Sequence, residues 1–334
     1  MTLDDKDQIK LSRRAFLCSL MAGGIAAALA DLKLALALPD APTALAKGTL
    51  STRLEEGRPS ITAQWTAVLR AAHQLPDDPK IMNDPRALRI IDGEAESELR
   101  SNLNKFQVTP SLCAFIVLRS RYAEDELARA LERGVRQYVI LGAGLDTFPY
   151  RNPHLVPNFR IFEVAHPATQ IWKRSRLREA GIAIPDSLTF APIDFERQTL
   201  LEGLGLAGFK ANQTAFFSLL GVVVYLSQEA VMGTLKCIAS LYPGSEIVFD
   251  YPIPSSALSD RQRLAREALA KRVAAIGGPW ITYFDPDSLA GELRCMGFNY
   301  VEDLRPEEAN DRYFKGRSDG LHVISSSRLM KARL

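Results

Sequence analysis

The sequence predicts an α/β fold built on a mostly parallel sheet with helices on both faces. Three observations carry this. Five short β-type runs alternate with helix-like stretches between residues 137 and 296. The runs are apolar almost throughout rather than alternating, which is the pattern of strands buried on both faces. The first three end in glycine or an acid, as strands do when they deliver ligand-binding groups to one edge of such a sheet. With 334 residues, 47% hydrophobic and 24% charged, the chain can form one elaborated domain or two. A formal charge of +2 offers no bulk attraction for nucleic acid, and none is expected as a partner.

Residues 1–46 stand apart. Ser12-Arg13-Arg14-Ala15-Phe16-Leu17 opens an uncharged run rich in Ala and Gly over residues 15–30, followed by small-residue sites such as Ala35-Leu36-Ala37 and Ala44-Leu45-Ala46. This is the pattern of a twin-arginine export signal, with the export machinery as partner where the signal is used. The uncharged run falls short of the roughly 20 residues of a membrane span. Asp31 and Lys33 keep it from lengthening, and no later segment approaches such a span. A functional signal places the protein in the periplasm or outside the cell; a vestigial one leaves it in the cytoplasm. Residues 47–334 then form the folded domain, with a helical cap region over 47–133 and a core over 134–334.

In the cap, Ile61, Trp65, Val68, Leu69 and Ala72 recur at helical period, and Pro76 and Pro79 end that helix. A second helix is expected over 112–133, closed by Gly134. In the core, strands are expected over 137–141, 160–164, 188–194, 215–221 and 246–251. Helices are expected near 168–180, 196–205, 228–240, 260–275 and 286–296. The basic C-terminus, with Arg328, Lys331 and Arg333, reads as a solvated end. Cys18, Cys113, Cys237 and Cys295 are too scattered for a zinc site or a disulfide framework, so buried free thiols and no metal are expected.

The chemistry should sit at the carboxyl ends of the strands. The first strand ends in Leu141-Gly142-Ala143-Gly144-Leu145-Asp146-Thr147, the second in Glu163-Val164-Ala165-His166 and the third in Asp194-Phe195-Glu196. The glycine turn has Thr147 where a dinucleotide fingerprint places its third glycine. Close backbone approach without a phosphate-cradling glycine suits a nucleoside ligand such as S-adenosylmethionine. Glu163, Asp194 and the turn could serve its ribose, adenine and amino-acid end.

The run Tyr138-Val139-Ile140-Leu141-Gly142-Ala143-Gly144-Leu145-Asp146-Thr147-Phe148-Pro149-Tyr150-Arg151 strongly resembles the glycine turn of S-adenosylmethionine-dependent methyltransferases related to leucine carboxyl methyltransferase. So do Arg119-Ser120-Arg121-Tyr122-Ala123-Glu124-Asp125, Phe162-Glu163-Val164-Ala165-His166-Pro167, and Asp285-Pro286 followed by Leu293-Arg294-Cys295-Met296-Gly297-Phe298. The resemblance extends from about residue 60 to the C-terminus. It implies a Rossmann-like methyltransferase fold with an N-terminal helical cap, and O-methylation of a carboxylate or hydroxyl on a small molecule or peptide end. By position, Arg119, with Arg121 as the alternative, would pair with the cofactor carboxylate. Gly142, Gly144 and Asp146 would line its methionine portion, Glu163 would face the ribose, and Asp194 with Phe195 the adenine.

Two departures stand out. Relatives usually read Glu-x-Asp at the second strand end, where this chain has Ala165, and many carry Glu at the end of the fourth strand, where it has Leu219-Leu220-Gly221-Val222. Each lost acceptor costs about 1–3 kcal/mol when its partner stays buried. For a hydroxyl acceptor, His166 is the best-placed base. Tyr225, in the apolar run 222–226, reads more simply as core than as a substrate contact. The alternative function is an exported protein of this fold that binds a nucleoside or small acid, or catalyses another reaction, without methyl transfer.

Overall fold

The computed structural model describes residues 61–334 apart from 76–78, 92, 102–108, 155, 195–197 and 276–277. The expected export signal over residues 1–46 and Phe195 lie outside the described residues, as does the boundary expected at residue 47. Among the described residues four helices precede the sheet: α1 (Ile61–Ala72), α2 (Ala87–Ile90), α3 (Gly93–Ser101) and α4 (Pro110–Glu132). Thr109 caps α4 by accepting from the Leu112 N–H, with Pro110 at the position where its missing N–H costs nothing. Gly134, at φ +98°, turns the chain out of that helix into the first strand.

The core strands are β1 (Gln137–Leu141), β2 (Arg160–Ala165), β3 (Leu188–Pro192), β4 (Ala215–Leu219) and β5 (Glu246–Pro252). Between and after them lie α5 (Pro167–Glu179), α6 (Leu200–Leu206), α7 (Gln228–Ala239), α8 (Asp260–Ala275) and α9 (Pro286–Cys295). Two further strands, β6 (Tyr300–Leu304) and β7 (Ser327–Arg333), flank α10 (Pro306–Tyr313). The seven strands form one sheet in the order β3-β2-β1-β4-β5-β7-β6, parallel except for β7, which runs antiparallel to both neighbours. The chain leaves β1 toward β2 and β3, then returns to place β4 on the other side of β1. That reversal opens a crevice beyond the carboxyl ends of β1 and β4.

Each face of the sheet has its own core. On one, α1, α4 and α5 pack against Tyr138, Ile140, Ile161, Phe216 and Val248. On the other, α6, α7 and α9 pack against Val139, Phe162, Phe217, Ile247 and Phe249. Alternation along β2 therefore sends Phe162 and Val164 to the second core, and Ile161 and Glu163 to the first.

The C-terminus is not a solvated end. Residues 327–333 form β7 inside the sheet, with Leu329, Met330 and Ala332 buried. Its charges are matched by partners distant in sequence: Lys331 pairs with Glu126 and lies 3.5 Å from Glu246, and Arg328 reaches Asp303 at 2.6 Å. Nor are all the thiols buried: Cys113 is, but Cys237 is half-buried and Cys295, closing α9, is exposed.

Candidate functional site

β1 exits through Gly142 and Gly144, at φ +69° and +45°, a conformation that disfavours side chains with a Cβ. The Gly142 and Ala143 amides both donate to the Val164 carbonyl, which ties the turn to β2. Asp146 Oδ1 accepts from the Phe148 N–H at 2.8 Å, at the start of the short 3-10 turn Phe148–Tyr150. Gly142 is exposed, and Gly144 and Asp146 are half-buried.

Arg119 reaches the crevice from α4. Nη1 lies 3.2 Å from Asp250 Oδ2 at the end of β5, while Asp250 Oδ1 accepts from the Gly221 N–H at 2.5 Å. A Cβ on Gly221 would fall 2.6 Å from the guanidinium, and Gly221 has φ +69°, so glycine lets Arg119 lie against the exit of β4. Arg121 turns the other way, to Asp125 at 2.8 Å and the Ile81 carbonyl at 3.1 Å. Of the two arginines weighed from the sequence, Arg119 is the one at the carboxyl edge of the sheet, beside the exits of β4 and β5.

A second guanidinium comes from α1. Arg70 is buried, its Nη2 donates to the Leu145 carbonyl inside the glycine turn, and its Nε has no hydrogen-bond partner among the described residues. Burial lowers its pKa, with the nearby Asp146 and Asp84 charges acting in the opposite direction. Asp84 accepts from Thr147 Oγ1 and lies 3.3 Å from Arg151 Nε, and Arg151 Nη1 donates to Glu124 at 2.8 Å. Cap, glycine turn and α4 are thus joined by charge as well as by packing.

Glu163, expected at the ribose, is paired within the protein. It is fully buried, with Lys173 Nζ 2.7 Å from Oε1 and the Tyr150 hydroxyl donating at 3.3 Å. Its carboxylate is closed inside the first core, two residues below Ala165 at the strand end. Burial raises its pKa, and the Lys173 charge counteracts this. Asp194 follows β3 and is half-buried. His166 is the N-cap of α5, its Nδ1 accepting from the Ala168 N–H at 3.2 Å. Tyr225 lies half-buried in the turn after β4, near Arg119 and Asp250; burial pushes its hydroxyl up to about 12, with the Trp280 indole and the Arg119 charge acting the other way.

Sequence reasoning missed Arg70, Asp250 and Lys173. Asp250 carried a legible signal, an acid at the end of an apolar strand, because the rule used for the first three strands applies equally to the fifth. Arg70 and Lys173 carried none, since each reads as an ordinary helix-surface base until its helix is docked. Among the described residues no group of acids, histidines and cysteines could hold a metal.

The donor set suits the methionine half of S-adenosylmethionine: a turn of backbone approach, Asp146, and two buried guanidinium groups, one with an orphaned Nε. It offers no open carboxylate at Glu163 for the ribose. The class defined is a Rossmann-like methyltransferase, and a crystal structure described as a "putative methyltransferase" from Thermobifida fusca YX shares the fold, at a TM-score of 0.51 and 17% identity over 84% of this chain and 96% of that one. The leucine carboxyl methyltransferase profile matches residues 63–239. The "Putative S-adenosyl-L-methionine-dependent methyltransferase YktD" of Bacillus subtilis (strain 168) is 33% identical over 300 residues, 82% of this chain and 97% of the relative. A Mycobacterium avium (strain 104) protein named for the same activity is 33% identical over 188 residues, 56% of each chain. The chain belongs to the leucine carboxyl methyltransferase family and is an S-adenosylmethionine-dependent methyltransferase.

Proposed function

We propose that the protein transfers the methyl group to an oxygen of a small molecule or peptide end, and that a carboxylate is the acceptor its site suits best. One observation carries this reading: the glycine turn and Arg119 lie at the carboxyl edge of the sheet, while the candidate base, His166, has its Nδ1 already accepting a hydrogen bond. His166 Nδ1 is committed to the α5 N-terminus, and Tyr225, weighed as a substrate contact, stays uncharged there. A carboxylate is already a nucleophile and needs no base.

In this reading Arg119 holds the cofactor's carboxylate, positioned by Asp250, and Arg70 adds its unpartnered Nε from below the turn. Gly142, Gly144 and Asp146 line the methionine portion. Asp194, with Phe195 next to it in sequence, serves the adenine. The bound cofactor supplies an electrophilic sulfonium methyl and its own leaving group. The protein's contribution is alignment, worth about 7–11 kcal/mol where the reacting atoms are held in line. Glu163 acts at one remove, fixing β2 against α5 through Lys173.

Incubation with S-adenosylmethionine labelled at the methyl group, together with small carboxylic acids, phenols and peptides, tests the acceptor chemistry. A carboxylate acceptor yields label that mild base releases as methanol; base-stable label identifies a hydroxyl ether instead. Asp194→Ala should weaken binding of S-adenosylhomocysteine at least about tenfold, the loss of a hydrogen bond to a buried partner.

The Arg13-Arg14 run supports export as a folded protein. An exported enzyme would carry one cofactor with it and turn over once, so sustained catalysis belongs before export. Loss of export in Arg13→Lys plus Arg14→Lys is the expected result; unchanged export overturns the twin-arginine reading. Among the described residues no helix is long and apolar enough to cross a membrane.

A further inference from the structure

A cavity of about 330 Å³ opens along the seam between the cap and the core, within the size range of small-molecule sites. The first turn of α1, Ile90 and Ile91 line one side, and a stripe of α5 the other. Trp172, Ser175, Arg176 and Glu179 fall at the i, i+3, i+4 and i+7 spacing that puts four side chains on one helix face. Leu145 of the glycine turn completes the lining.

The chemistry of this wall is specific. Ile90, Ile91, Leu145 and the half-buried Trp172 supply apolar surface. The charged members cancel: Arg176 Nη1 lies 2.6 Å from Glu179 Oε2, and Ser175 Oγ donates to the other oxygen at 2.9 Å. Ile171, one turn before Ser175, is 70% exposed and extends the apolar character outward. A ligand with a charged body would set that charge against isoleucine without a counter-ion, whereas a flat apolar ring gains the Trp172 face. Leu145 lies between Gly144 and Asp146, and Arg70 holds its carbonyl, so the cavity shares a wall with the turn assigned to the methionine portion.

We propose that this cavity receives the body of the methyl acceptor, and that the acceptor is a small ring compound, uncharged over its body, whose reacting oxygen extends past Leu145 toward the glycine turn. This rests on the methyl-transfer reading above and names the substrate class for it.

Indole serves as a neutral ring probe of the full-length protein. Calorimetry follows indole and S-adenosylhomocysteine separately, and nuclear Overhauser transfer between the two ligands reports their proximity when both are bound. The wild type is expected to bind both and to show transfer from the indole ring to the methylene protons beside sulfur. Ile90→Trp, which fills the cavity from the cap side, and Trp172→Ala, which removes the ring platform, should each weaken indole about tenfold while changing S-adenosylhomocysteine affinity less than about twofold. If the wild type binds S-adenosylhomocysteine but not indole, or if the bound pair shows no transfer, the acceptor assignment is overturned and the methyltransferase reading stands. Indole affinity unchanged in both variants also overturns it. If S-adenosylhomocysteine itself does not bind, the functional reading fails first and takes the acceptor assignment with it.

Discussion

Two buried ion pairs lie near the same edge of the sheet and have opposite characters. Glu163–Lys173 is sealed, with side chains 0% and 1% exposed, a 2.7 Å contact and a tyrosine hydroxyl over the carboxylate. Arg119–Asp250 is looser, at 3.2 Å with 9% and 8% exposure, and lies against the backbone of Gly221 at the mouth of the crevice. A sealed pair satisfies its charges internally and holds the elements it joins together. A pair with its cation at a backbone edge can still offer donors to a ligand, because a guanidinium carries five N–H groups and Asp250 meets it through Nη1. In this structure the strand-end acid that looked most like a ligand is paired inside the protein, and the acid that drew no attention, Asp250, lies against Arg119.

The comparison breaks most sharply at Lys173. Lys173→Met leaves Glu163 buried without its counter-charge and should cost about 3–5 kcal/mol in urea unfolding. Glu163→Leu with Lys173→Met should recover most of that loss and leave S-adenosylhomocysteine affinity intact; a double variant that folds but no longer binds would show that Glu163 meets the cofactor after all. Arg119→Met should cost less in unfolding than Lys173→Met, because Asp250 keeps the Gly221 N–H, and should lose about 1.5–3 kcal/mol in cofactor affinity by calorimetry.

Acid provides a control outside both pairs. His73 is buried in the cap, its Nε2 accepting from the Ile81 N–H at 3.1 Å, and burial together with Arg317 and Lys80 lowers its pKa to about 4. The unfolded chain takes up this proton near pH 6.5 and the folded chain only near 4, so the unfolded state binds more protons in between. Stability should therefore fall as pH drops through that window, by on the order of 2 kcal/mol, and His73→Gln should flatten the trend in urea midpoints. The smallest effect is expected at Arg70. Arg70→Lys keeps the charge but loses the fork that reaches Leu145, and should weaken S-adenosylhomocysteine about fivefold, with Arg70→Ala weaker still.

Much of the fold was legible locally. Strands β1–β5 announce themselves as apolar runs, α4 by its length and closing glycine, and the glycine turn by two glycines directly after a strand. β7 was hidden because Arg328, Lys331 and Arg333 look like a solvated tail. Nothing nearby in sequence reveals that Glu126, 205 residues away, will neutralise Lys331. The site was legible by position rather than by partner. Strand-end logic pointed to Glu163 and Asp194, and whether such an acid faces ligand or core depends on what the opposite helix presents.

By itself the sequence determined the α/β class, the family and the place of the glycine turn, because these follow from strand hydrophobicity, local backbone conformation and a motif contiguous in the chain. Only the tertiary structure decided which charges are spent inside the protein. Lys173 closes Glu163, Asp250 aims Arg119, Arg70 enters beneath Leu145, and the cap meets α5 around a cavity of mixed lining. Each of these depends on the docking of a helix against a strand or turn remote in sequence, and charge pairing across such a gap leaves no local pattern to read.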